Sequence, residues 1–356
     1  MKRTYIIAEA GVNHNGSLDI AMALVKAASN AGADAVKFQT FKAENLVSVS
    51  APKAEYQKKT TGGTGSQFEM LKKLELSEEF HRALFDQCRV LGIDFLSTPF
   101  DFKSVDFLYK EVNLKLLKLS SGEITNAPLL LKVAKTAKPV IVSTGMSTLA
   151  DIEAALGVLA FGYLGCDDNP TEMNFRNAFC SSMGQDVLRE KVTLLHCTTE
   201  YPSPMDEVNL DAMETLRAAF GLQIGYSDHT EGIAVPIAAV ARGAKVIEKH
   251  FTLNRTLPGP DHKASIEPDQ LREMILSIRS VEAALGSSQK IPSPSEQKNI
   301  EIVRKSLVVT SEVLQGELLT EDNLGVKRPG TGISPFKYWD YLGKRAVKDY
   351  HQDDLL

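Results

Sequence analysis

The chain has 356 residues, of which 43% are hydrophobic, with a formal net charge of −5. That apolar share supports a sizeable core and speaks against a disordered chain. The mildly acidic balance, with no long basic run, excludes nucleic-acid and membrane-surface binding as readings from charge.

In chain order, short β-branched runs alternate with helix-like stretches. The strands predicted are "TYIIAE" (4–9), "DAVKFQ" (34–39), "IDFLS" (93–97), "KLLKLS" (115–120), "KPVIVS" (138–143), "VTLLH" (192–196), "LQIGYS" (222–227) and "KVIEKH" (245–250). Between them, "SLDIAMALVKAASNAG" and "SEEFHRALFDQCRVLG" each open on a Ser suited to an N-cap and close on a Gly suited to a C-cap. In "STLADIEAALGVLA" the spacing of Thr148 and Asp151 is that of a capping box, with Asp in place of Glu. Eight strand–helix units over about 250 residues predict a closed (β/α)8 TIM barrel. A doubly wound open sheet is the alternative, but "GVNHNGS" after the first strand lacks the dinucleotide fingerprint. The barrel is expected over 1–286, with an insertion at about 163–190. The Pro/Ser cluster "IPSPSEQKN" predicts a linker over 287–305. A small β-rich domain over 306–356 is expected to lean on another surface, its own chain's or a partner's.

The cysteines Cys88, Cys166, Cys180 and Cys197 form no C-x-x-C pair, which predicts a reducing compartment and no zinc cluster. The N-terminal apolar run is broken by Glu9, too early for a signal peptide, and no run approaches membrane-spanning length. The expectation is a soluble cytoplasmic protein.

Strand after strand ends on polar groups: Glu9, then Asn13 and His14; Lys37 and Gln39; Ser97 and Thr98; Lys118, Ser120, Ser121 and Glu123; Ser143 and Thr144; His196 and Thr198; Ser227, Asp228 and His229; Glu248 and His250. One such strand is ordinarily a fringe in solvent. Eight together indicate a site at the C-terminal mouth of a barrel. His229 and His250 end neighbouring strands, and two neutral imidazoles at one mouth suit a divalent transition metal with open positions. Two separately hydrogen-bonded histidines are the plainer reading, and His196 is equally a third ligand or a core histidine. Lys37 and Lys118, with hydroxyls and Gly-flanked amides in "LSSGE" and "STGMS", suit a phosphate. A Schiff-base lysine competes with that reading. Arg328 in "VKRPGTGIS" is either an exposed turn charge or a clamp over the mouth.

The segments "IIAEAGVNHNGS", "AVKFQTFKAENL", "FLSTPFD", "KLSSGEITN", "VSTGMS", "LLHCTTEYPSP", "GYSDHT", "IEKHFT", "GPDHKAS" and "VKRPGTGIS" closely resemble the sialic acid synthases, over nearly the whole chain except the 163–190 insertion. The resemblance implies a barrel with a C-terminal antifreeze-like (SAF, β-clip) domain, assembled as a domain-swapped homodimer. It implies condensation of phosphoenolpyruvate with N-acetylmannosamine or a close relative, giving a nonulosonic acid and phosphate. The legionaminic acid synthases, acting on 2,4-diacetamido-2,4,6-trideoxymannose, and the pseudaminic acid synthases belong to the same family. The implied cofactor is a divalent metal, Mn2+ first and Mg2+ or Co2+ after it, held by His229 and His250. Lys37, Gln39, Thr98, Lys118, Ser121 and Ser143 would hold phosphoenolpyruvate. Tyr201, Asp261 and Arg328 would meet the sugar, Arg328 from a second subunit. Glu9, Glu123 and Glu248 match acidic positions near the reacting centre. The competing readings are a Schiff-base aldolase and an inert barrel carrying a carbohydrate- or ice-binding module.

Overall fold

The computed structural model describes residues 3–61, 65–166 and 168–356, the side chain of residue 59 excepted. It divides into two compact units, 1–286 and 287–356.

The first unit is an eight-stranded parallel barrel. Its strands are β1 (Tyr5–Gly11), β2 (Ala35–Thr40), β3 (Asp94–Pro99), β4 (Leu117–Leu119), β5 (Val140–Ser143), β6 (Val192–His196), β7 (Gln223–Asp228) and β8 (Val246–His250). Ladder bonds run through β3-β2-β1-β8-β7-β6-β5-β4, so the seam between β3 and β4 is the one without a backbone ladder among the described residues. All eight expected strands form, because β-branched runs buried on both faces suit a parallel sheet. The barrel interior is filled at its lower level by Ile7, Ala35, Leu96, Ile141, Leu195 and Val246. The outer faces of the strands pack on the helices in one continuous apolar layer.

The helix ends follow local chemistry. Ser17 caps the helix Leu18–Ala31 by accepting from the Ile20 amide, and Gly32 ends it at φ 88°. Ser77 and Gly92 bracket Glu78–Leu91 in the same way. Thr148 and Asp151 exchange both bonds of the capping box at the head of Leu149–Leu164. The region read as an insertion holds two helices, Glu172–Cys180 and Ser182–Lys191. The first of them packs closely on Leu149–Leu164: a Cβ at Gly157 of that helix would lie 2.9 Å from the Phe175 carbonyl oxygen. Between β2 and the helix Glu78–Leu91 run three short helices, Ala43–Leu46, Glu55–Thr61 and Gln67–Lys72.

In the second unit, the stretch read as a linker contains the helix Pro294–Val303. "SPSE" is its start signal: Ser293 and Glu296 form a capping box around Pro294. Strands β9 (Ser306–Val309) and β10 (Leu324–Lys327) pair antiparallel. Leu307, Val309, Val313, Leu319, Leu324, Ala346 and Tyr350 form a small core. No helix among the described residues is long and apolar enough to cross a membrane.

Candidate active site

The apolar filling of the barrel gives way, toward the C-terminal strand ends, to four charged side chains. Register places Glu9 beside Lys37 on β2 and beside His250 on β8, and Glu248 beside Ser227 on β7. All point inward; Glu9, Lys37 and Glu248 stand two residues along their strands from the apolar layer and His250 four. Lys37 Nζ lies 2.6 Å from Glu9 Oε2 and 3.7 Å from Glu248 Oε2. Lys118 Nζ lies 3.3 Å from Glu248 Oε1. Each ammonium is also tied to a hydroxyl, Lys37 donating to Thr98 Oγ1 (3.1 Å) and Lys118 to Ser143 Oγ (2.8 Å). Ser227 Oγ donates to Glu248 Oε1 at 2.8 Å.

Two lysines and two carboxylates, all buried, divide their charge unequally. Burial alone would raise Glu248, but Lys118 and then Lys37 outweigh it and bring the carboxyl down to about 2. Burial raises Glu9 to about 7, with Lys37 opposing and Glu248 adding to the rise. Burial would lower Lys37, yet Glu248 and Glu9 hold it above its ordinary value. For Lys118 burial prevails and its pKa falls, although Glu248 pulls the other way.

Above this layer the rings of His229 and His250 stand with centroids 5.3 Å apart. The Tyr201 ring lies tilted against His229, centroids 4.2 Å apart, and Tyr56, from the helix Glu55–Thr61, leans on Tyr201 at 5.0 Å. His229 Nδ1 donates to the Thr198 carbonyl at 2.6 Å. That bond sets the tautomer and leaves a lone pair on Nε2, the usual arrangement of a metal-ligating histidine. His250 Nδ1 is buried without a hydrogen-bond partner, 3.9 Å from Asp261 Oδ2. Burial lowers the pKa of both imidazoles, that of His250 further because His229 and Lys37 repel its proton. Neutral rings with available lone pairs fit a divalent ion. Among the described residues there is no cluster of three or more His, Cys, Asp and Glu placed for a metal. Burial raises Asp261 to about 6, against the pull of Lys37.

These groups line a cavity of about 360 Å³. Glu9, Lys37, Gln39, Thr98, Lys118, Ser121, Glu123, Ser143, Tyr201, His229, Glu248, His250 and Asp261 all border it. Ser121 Oγ accepts from the Gly145 amide at 3.0 Å, and only glycine fits there, since a Cβ would lie 2.3 Å from Thr199 Oγ1. Glu123 is held by Asn126 at 2.7 Å. Arg328 belongs to the second unit, exposed directly after β10. His196 bonds the Val208 carbonyl at 2.8 Å and does not border the cavity. Sequence reasoning misses one wall, made by Val12, Leu46, Val47, Met70, Leu71, Leu74 and Phe100. It misses Tyr56 and Gln57 with it. The short helices that carry most of these residues show no clear apolar period.

An eight-stranded parallel barrel with buried lysines, carboxylates and imidazoles converging at its C-terminal mouth is an enzyme architecture. The chain belongs to the NeuB family, whose model matches residues 24–290. It is 51% identical over 356 residues to the N,N'-diacetyllegionaminic acid synthase of Campylobacter jejuni, covering 100% of this chain and 99% of that protein. It is 46% identical to the Legionella pneumophila protein of the same name, over 96% and 90% of the two chains. Among solved structures, an N-acetylneuraminic acid synthetase from Leptospira borgpetersenii, in complex with citrate, superposes with a TM-score of 0.67. It is 31% identical, over 84% of this chain and 91% of that one. The chain is thus a member of a family of synthases of nonulosonic acid biosynthesis.

Proposed function

We propose that this protein condenses phosphoenolpyruvate with an N-acylated amino sugar, 2,4-diacetamido-2,4,6-trideoxymannose before N-acetylmannosamine, releasing phosphate and a nonulosonic acid. The observation that carries the reading is the pair of buried lysines, Lys37 and Lys118, aimed into the same cavity as the imidazoles of His229 and His250. Lys37, Lys118, Thr98, Ser121 and Ser143 form a cationic, hydroxyl-lined cup for the phosphate and carboxylate of phosphoenolpyruvate. His229 and His250 would hold a divalent cation, Mn2+ by family resemblance. When bound, such an ion supplies Lewis acidity at the aldehyde oxygen of the open-chain sugar. The chain's own groups do the rest. The cup fixes the enol-ether carbon against the aldehyde. After that carbon has attacked, Glu9 positions the water that adds to the adjacent cationic carbon, and phosphate leaves by C–O cleavage. Tyr201 and Asp261 orient the sugar.

Two things support the trideoxy sugar. One is the higher identity to the two N,N'-diacetyllegionaminic acid synthases than to the sialic acid synthetase structure. The other is the apolar wall of Leu46, Val47, Met70, Leu71 and Leu74, which suits methyl groups better than hydroxyls. The second unit would be the antifreeze-like domain, and Arg328 would reach the sugar of a partner subunit. Phe336 and Trp339, 96% and 78% exposed in the single chain, are surface such a partner would cover.

The test is phosphate release from phosphoenolpyruvate with each sugar. Faster turnover of N-acetylmannosamine would make the protein a sialic acid synthase. A borohydride-trapped lysine adduct, with no effect of chelator, would replace both with a Schiff-base aldolase.

A further inference from the structure

A further buried ion pair, separate from the Lys37, Lys118, Glu9 and Glu248 group, lies on the far side of β7 and β8 from the cavity, and the proposed chemistry does not use it. Asp228 and Lys249 are register partners on the two strands, and both side chains are wholly buried. Lys249 Nζ is 2.6 Å from Asp228 Oδ2 and also donates to the Thr230 carbonyl at 2.5 Å. Asp228 Oδ1 turns back to accept from the Thr230 amide (3.0 Å) and the Thr230 hydroxyl (2.8 Å). The residues on both sides of His229 are thus tied to one lysine, and that lysine directly precedes His250.

Side chains alternate along a strand, so holding 228 and 249 outward sends 229 and 250 inward. The strand assignment of β7 ends at Asp228, so His229 lies one residue beyond it. Packing alone does not explain the pair, because well-packed apolar residues in place of a buried ion pair are often as stable or more so. Apolar contacts are non-directional, whereas these bonds fix angles as well as distances.

We propose that Lys249, Asp228 and Thr230 form a clamp that sets the spacing and aim of the His229 and His250 imidazoles for a divalent cation. They are positioning residues that touch neither ion nor substrate. The inference rests on the metal reading given above.

The experiment titrates metal-stripped full-length protein with Co2+ and follows the visible ligand-field absorption, alongside Tm and a metal-free crystal structure of each variant. K249M alone leaves a buried carboxylate unpaired and loses stability. The double variant D228L/K249M removes both charges. Its Tm is expected near that of the parent, its Co2+ affinity about 10- to 100-fold weaker, its absorption bands shifted, and its imidazole separation changed from 5.3 Å. A double variant that binds Co2+ within twofold of the parent overturns the clamp and leaves the metal reading standing. A parent that binds no Co2+ overturns both. If the double variant does not fold, Thr230→Val takes its place, since it deletes one bond of the clamp at constant shape. Weakened Co2+ binding then supports the clamp, and parental affinity overturns it.

Discussion

The two ends of the barrel hold cavities that differ in where their charges sit. The larger, about 660 Å³, opens at the N-terminal end beside the unladdered seam of β3 and β4. Its lining mixes apolar side chains, among them Phe85, Ile93, Phe95 and Leu114, with exposed charges such as Arg3, Arg89, Lys115 and Lys245. The smaller, about 360 Å³, holds every inward-pointing buried charge described above. Size and chemistry therefore separate: volume marks where packing stops, and converging, buried, titratable groups mark where a reaction can run. The lower level of the barrel carries stability, and the upper level holds groups that would be costly to bury in any other context.

Variants at the two levels should separate accordingly. The largest effect on turnover is expected from His229→Ala: loss on the order of a thousandfold, with the circular dichroism spectrum and Tm retained and bound metal absent by elemental analysis. Glu9→Gln should lower kcat about a hundredfold. In the parent, kcat/KM should rise with pH through about 7 as Glu9 ionises, and that inflection should vanish in the variant. The same carboxyl gives a stability signature. Its pKa is raised from 4.5 to about 7 in the folded chain, so the folded state holds the extra proton. That contribution is complete below pH 4.5 and is lost as pH rises through about 7; the Tm of Glu9→Gln should not show this decline. Met70→Gln, on the apolar wall, should raise KM for the trideoxy sugar about tenfold and narrow its preference over N-acetylmannosamine. The smallest effect on turnover belongs to the lower level. Leu195→Ala should cost about 2–5 kcal/mol in stability by denaturant unfolding, with kcat of the folded fraction within about twofold.

Much of the fold and of the site is legible in the sequence, for identifiable reasons. The barrel strands announce themselves because runs such as "YIIA" (5–8) and "VIV" (140–142) are apolar on both faces. Helix limits at Ser17, Gly32, Ser77, Gly92 and Thr148 rest on capping bonds between near neighbours, which sequence spacing encodes. The polar strand ends stand out because charged groups at buried-type positions need a reason. What stays hidden depends on distant pairing. Lys249 finds Asp228 across 21 positions, and Tyr56 finds Tyr201 across still more; neither contact leaves a local trace. "SPSE" reads as a linker because Pro and Ser mark both loops and helix starts, and the helix after it decides between them.

The two lysines of the cup have a consequence for how an anion would enter. Lys37 and Lys118 rest against Glu9, Glu248, Thr98 and Ser143, so both ammonium groups are already held by partners on the protein. An arriving enol phosphate would exchange partners with resident carboxylates and find no loose arms to gather, and little rotamer entropy remains to be lost at that step. The pocket would be its own rehearsal: on the proposed function, the carboxylates would keep the ammonium groups aimed until a substrate's oxygens took their places.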